Sequence, residues 1–246
     1  RFAKEVDKLP LLAENVRKSY DPFYDADPLC RALEQSLKGP FQGGTVILLA
    51  PTGAGKTSRA KVICAKLQKQ EQIRGAVYID FDKHTEQHPK TALFHRFGLS
   101  RARFDVFDSA IPAGDDEKPF VVICDNVGAA FDVPERKEEM FETLRQLTKI
   151  STHGHSHRNF VVLAICHKAS TAEYLLNING GVKVRMLTTG KKIIGGDPSF
   201  SDSSWQRAGI MWNETSCRAL VELCRQKNMG QLTNEQTDRL VRITAL

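Results

Sequence analysis

Between Thr45 and Gln70 a short apolar run, a glycine-rich turn and a basic amphipathic stretch follow one another, and few folds accommodate that order. Residues Thr45 to Ala50 (TVILLA) come after the turn signal Gln42-Gly43-Gly44 and read as a buried strand. From Lys56 the sequence puts Ala60, Ile63, Cys64 and Leu67 on one helical face, with lysines around them. Between strand and helix stands Ala50-Pro51-Thr52-Gly53-Ala54-Gly55-Lys56-Thr57, the P-loop (Walker A) pattern with alanine at its first glycine. Small residues let successive backbone N–H groups wrap a phosphate, and the helix N-terminus beyond adds a favourable dipole. Lys56 would then neutralise β/γ-phosphate charge, the Thr57 hydroxyl would ligate Mg²⁺, and Ser58 would contact the α-phosphate. ATP and Mg²⁺ are the cofactors this pattern predicts.

Further strands are predicted at Ala76 to Phe81, Phe120 to Cys124, Phe160 to Cys166 and Val182 to Leu187. Several are continuous apolar runs, as expected of parallel strands covered on both faces. A helix over Pro134 to Ile150 repeats Met140, Leu144 and Leu147 at helical spacing. The alternation predicts an α/β sandwich around a mainly parallel sheet, with residues 1–42 as an N-terminal helical or extended segment, 43–190 as the core, and 191–246 as a loop and helical extension. Within the extension, helices are expected over Glu214 to Lys227 and Asn234 to Ile243. Residues 105–119 and 190–204 carry turn residues and read as surface loops.

A nucleotide site of this kind needs an acid at the end of a neighbouring strand to hold the metal's water shell. Asp125, closing Phe120 to Cys124, is that Walker B candidate. The next residue is Asn126, where hydrolytic relatives carry an acid that polarises water, and an amide cannot accept a proton. Asp80 and Asp82 are the substitute bases, provided that their strand adjoins the P-loop strand, with Asp132 and Glu135 behind them. His167 ends the fourth strand; it either senses γ-phosphate or caps the following helix near Ser170 and Thr171.

Composition narrows the class. Apolar residues make up 41% and charged ones 26%, which excludes a largely disordered chain, and no run long enough for a membrane span is present. Lysine plus arginine total 35 against 29 acids, a net charge of +6 that leans mildly toward a polyanionic partner. The opening from Arg1 lacks the apolar block of a signal peptide and reads as a piece of a longer chain or a processed product, not addressed for secretion. None of the cysteines (Cys30, Cys64, Cys124, Cys166, Cys217, Cys224) forms a CxxC pair, so reduced thiols are expected. His153, His155 and His157 alternate, and His84, His88 and His95 cluster, yet no thiol or acid completes a tetrahedral zinc set. Cys217 and Cys224 are expected to pack in a C-terminal helix, and Trp205 and Trp212 to anchor the tail.

Residues Ser156 to His167 (SHRNFVVLAICH) resemble the stretch of FtsK–HerA-type viral genome-packaging ATPases, the poxvirus A32-like group, that runs Arg-His, one residue, Asn, then an apolar strand ending in Gln. His157 and Asn159 fall on the family's His and Asn. Ser156 stands in place of its Arg, His167 in place of its Gln, and Asn126 in place of its second acid. The resemblance covers about residues 43–190. It implies an ASCE-type P-loop NTPase fold, with a strand inserted between those bearing Walker A and Walker B, and ATP-driven translocation of double-stranded DNA into a capsid by a homo-oligomeric ring. Location in the cytoplasm, virion or virus factory of an infected cell, with capsid proteins as further partners and no membrane, goes with that reading. A neighbour's arginine would complete each site; Arg145, Arg158 and Arg185 are the candidates. DNA would be gripped from a pool comprising Arg101, Arg103, Arg136, Lys137, Lys183, Arg185, Lys191 and Lys192. The alternative is a nucleotide-dependent switch or scaffold of STAND or AAA+-like kind with little turnover, which Asn126 favours. A nucleotide kinase or GTPase lacks support, since no Asn-Lys-x-Asp guanine signature is present.

Overall fold

The computed structural model describes residues 28–38, 43–50, 52–84, 88–99, 103–105, 107, 118–152, 160–178, 184–188 and 233. Among them, five parallel strands form one sheet: β1 (Thr45–Leu49), β2 (Gly75–Asp80), β3 (Phe120–Asp125), β4 (Phe160–Cys166) and β5 (Val184–Thr188), in the order β2-β3-β4-β1-β5. The helices are α1 (Pro28–Leu37), α2 (Lys56–Lys69), α3 (Pro89–Arg96), α4 (Val127–Phe131), α5 (Pro134–Thr152) and α6 (Ala169–Leu176). The expected α/β sandwich is therefore present, with β4 between the strand that precedes the glycine turn and the strand that ends in Asp125. None of these helices is long and apolar enough to cross a membrane.

Alternation along each strand divides the core in two. Val46, Leu48, Val121, Ile123, Val161, Leu163 and Ile165 face α1 and α2, where Leu29, Leu33, Ala60, Ile63 and Leu67 meet them. Ile47, Val122, Cys124, Val162 and Ala164 face the other way, toward Leu93, Met140, Leu144, Leu147 and Leu175. The three layers follow from this two-sided burial. Helix α1 thus belongs to the packed core, although it precedes residue 43.

The last strand pairs Val184 to Thr188 with Thr45 to Leu49, overlapping the stretch expected over Val182 to Leu187, of which residues 182 and 183 lie outside the described residues. One expectation changes. In the stretch read as a surface loop, Phe107 is fully buried, 4.7 Å from the Phe97 ring centroid and 6.0 Å from that of Phe160. Neighbouring acids and turn residues conceal this apolar anchor in the sequence. The C-terminal helices expected over 214–227 and 234–243 lie outside the described residues.

The turn signal before β1 has a packing reason. Gly43 has φ +85°, and a Cβ there would come 2.1 Å from the Ser151 carbonyl oxygen at the end of α5. Next to it, the Gly44 N–H donates to Ser151 Oγ at 2.9 Å. Gly43→Ala is expected to lower stability by at least about 2 kcal/mol in urea denaturation, since both the left-handed backbone and the clash oppose it.

Candidate functional site

The glycine turn and the ends of β2, β3 and β4 meet at the C-terminal edge of the sheet, the edge where parallel α/β sheets carry their sites. Gly53 (φ +84°) and Gly55 (φ +74°) both take left-handed backbone, and a Cβ at either would meet nothing within 4 Å. Open space therefore lies over the turn. Gly55 caps α2 without a side-chain hydrogen bond, so the helix offers its N-terminal N–H groups to that space. Thr52, Gly53 and Ser58 are exposed, and Ala54 and Gly55 half-buried. Pro51 lies outside the described residues.

Lys56 is only 8% exposed. Its ammonium donates to the Ala50 carbonyl at 2.7 Å, across the foot of the turn. Burial pushes its pKa down, opposed by the charge of Asp125 and by Cys166. Burial also raises the thiols of Cys64, Cys124 and Cys166 to about 12, so all three stay protonated and serve as packing rather than nucleophiles.

Asp125 is 1% exposed and is held by three donors. The Thr57 hydroxyl donates to Oδ2 at 2.6 Å, the Tyr78 hydroxyl donates to the same oxygen at 2.9 Å, and the Asn126 N–H donates to Oδ1 at 2.9 Å. A threonine hydroxyl against a buried carboxylate is a hard-oxygen donor set of the kind Mg²⁺ takes with a nucleotide's phosphates. The residues fit the ion that the turn predicts.

The condition set for Asp80 and Asp82 is not met: β2 pairs with β3, and both β3 and β4 separate it from β1. Asp80 nevertheless arrives beside Asp125, its partner in register. Its Oδ1 accepts from Asn126 Nδ2 at 2.8 Å and from the Asp82 N–H at 3.2 Å, and its Oδ2 lies 3.6 Å from Lys83 Nζ. Asp82 itself is exposed in the turn Phe81–His84. Asn126 adopts φ 53°, a left-handed conformation that asparagine tolerates better than most residues. His167 is exposed, and its ring lies over α4, where a Cβ on Gly128 would come 3.5 Å from Cε1. The cap of α6 is Lys168, not His167.

Tyr78 escaped the sequence reading. The one available signal was its spacing: two residues before Asp80 on a strand, it shares that acid's face.

Among the other candidates, Arg136 is buried on α5, Arg103 pairs with Asp105, and Arg145 pairs with Glu142 at 2.6 Å. Lys137 lies 4.2 Å from the Tyr174 ring centroid. Asp132 and Glu135 are exposed, and Asp132 pairs with Lys168. Arg101, Arg158, Lys183, Lys191, Lys192, His153, His155, His157, Trp205, Trp212, Cys217 and Cys224 lie outside the described residues, and of Arg185 only the backbone, on β5, is described. No cluster of three or more metal-ligating side chains occurs among the described residues.

No family model matches the chain, and no curated protein does. Among solved structures it is similar to AMPPCP-bound DnaA from Aquifex aeolicus, at 11% identity and a TM-score of 0.43, over 94% of this chain and 57% of that one. It is also similar to the ADP form of the Aeropyrum pernix ORC2 protein, at 14% identity and 0.46, over 92% and 72%. A third is C. elegans PCH-2, at 14% and 0.43, over 95% and 54%. The chain thus spans little more than half the length of the DnaA and PCH-2 structures.

Proposed function

We propose that the chain binds magnesium ATP at Thr52 to Ser58 and hydrolyses it slowly, so that nucleotide occupancy itself is the signal, as in a switch or scaffold ATPase of STAND or AAA+-like kind. The convergence of Lys56, Thr57 and Asp125 beneath an open, uncapped glycine turn carries the nucleotide part. Backbone N–H groups of the turn wrap the phosphates, and Lys56 leaves the Ala50 carbonyl to neutralise their charge. Thr57 and Asp125 would hold Mg²⁺, which would supply charge neutralisation for the phosphates.

Slow turnover follows from Asn126. Its amide stands where a base is needed and is tied to Asp80, the carboxylate hydrogen-bonded to it. We take Asp80 as the base, with Asn126 orienting the water. The Asp80 carboxylate already accepts two hydrogen bonds on Oδ1, and its Oδ2 lies 3.6 Å from Lys83 Nζ, so both oxygens are engaged before any water arrives. Asp80→Asn is expected to lower steady-state turnover about 10²-fold with ATP affinity unchanged, whereas Asn126→Asp, with a carboxylate beside Asp125, raises turnover. Unaltered turnover in Asp80→Asn would remove that residue from the chemistry.

The second reading is a ring-shaped motor that packages double-stranded DNA. The His157-x-Asn159-strand pattern and the net charge of +6 favour it. Adding double-stranded DNA separates the two: strong stimulation of ATP hydrolysis, with a steep salt dependence, supports the motor, and hydrolysis indifferent to DNA supports the switch.

A further inference from the structure

Asp125 is restrained on both oxygens, and the restraints differ in kind. The Thr57 hydroxyl at 2.6 Å is itself a metal-ligand candidate, so its oxygen has a second partner to serve. The Asn126 N–H at 2.9 Å is local backbone and reaches only Oδ1. The Tyr78 hydroxyl at 2.9 Å comes from β2, on the far side of β3 from the glycine turn, and reaches Oδ2 without taking part in the phosphate site.

Tyr78 is itself fixed from three directions. Its strand is in register with β3, Arg96 Nε donates to its carbonyl at 2.8 Å, and Lys61 Nζ lies 3.8 Å from its ring centroid. Lys61 is one helical turn beyond Thr57 on α2, so both residues face the β2–β3 edge. The same helix therefore touches Asp125 directly through Thr57 and indirectly through Lys61 and the phenol.

We propose that Tyr78 is a positioning residue for the metal: its hydroxyl holds the Asp125 carboxylate in its metal-binding orientation and thereby sets how tightly the site takes Mg²⁺. This rests on the nucleotide reading above. Hydrogen bonds to ligating carboxylates orient them, and their loss typically weakens metal affinity by about 10–100-fold. Of the two side-chain donors on Oδ2, the phenol is the one that is not itself a metal-ligand candidate.

The test is Tyr78→Phe, which keeps the ring, its packing and the contact with Lys61. Binding of a fluorescent, non-hydrolysable ATP analogue is followed as Mg²⁺ is titrated, and Mn²⁺ binding to the same complex is followed by electron paramagnetic resonance. The half-saturating metal concentration is expected to rise about 10-fold or more, while analogue affinity in the presence of EDTA stays at the wild-type value. A purely structural tyrosine would lower the melting temperature and leave both metal titrations on the wild-type curve; that result overturns the proposal. Failure of wild-type protein to bind the analogue at all overturns the nucleotide reading and, with it, this inference, so the two failures are told apart by the wild-type arm alone.

Discussion

Lys56→Ala is expected to reduce ATP turnover by at least about 10²–10³-fold and to abolish the rise in melting temperature that magnesium ATP produces in the wild type. The lysine is hydrogen-bonded at the foot of the glycine turn, 2.7 Å from the Ala50 carbonyl. Its burial matters for the sign of the accompanying stability change. With a folded-state pKa below the unfolded one, the ammonium opposes folding at neutral pH, and that penalty is relieved as pH rises through the folded value. In the alanine variant, relief of that penalty is set against the lost hydrogen bond to the Ala50 carbonyl, so the lost response to magnesium ATP, and not the basal melting temperature, reports the lysine's role.

Asp125→Ala should have the opposite balance, costing stability as well as function. It leaves the Thr57 hydroxyl, the Tyr78 hydroxyl and the Asn126 N–H without their acceptor at a site where the carboxylate was 1% exposed. Orphaning these donors is expected to destabilise the protein by about 2–4 kcal/mol, read as a shift of the urea midpoint with the slope unchanged. Asp125→Asn keeps an acceptor oxygen and should recover part of that loss while metal-dependent nucleotide binding stays abolished. Equal stabilities for the two variants would mean that the three hydrogen bonds matter less than their geometry suggests.

Local features were legible in the sequence because short-range chemistry writes them. The strand from Thr45, the left-handed glycines and the helix from Lys56 each follow from adjacent residues, and the apolar runs ending in Asp125 and Cys166 gave β3 and β4 nearly to the residue. Strand order is a different matter. Whether β2 lay beside β1 or beside β3 is decided by which crossover packs, and the sequence offered Asp80 and Asp82 as equals. Pairing with β3 draws Asp80 to Asn126 and leaves Asp82 in an exposed turn. Beyond its spacing from Asp80, Tyr78 was hidden for the same reason, since its partner Asp125 is 47 residues away and adjacent only through that pairing. Phe107 was hidden by its neighbours: an aromatic between acids and turn residues reads as loop, yet it fills the core between Phe97 and Phe160.

Backbone amide resonances, or deuterium uptake, at Gly53 to Thr57 report most directly on whether the glycine turn wraps a triphosphate. Magnesium ATP is expected to perturb these amides, together with Asn126, at submillimolar concentrations, and the Lys56→Ala variant to lose the response. Amides of the turn that stay unchanged at millimolar magnesium ATP, or a response confined to another part of the sheet, would contradict the account.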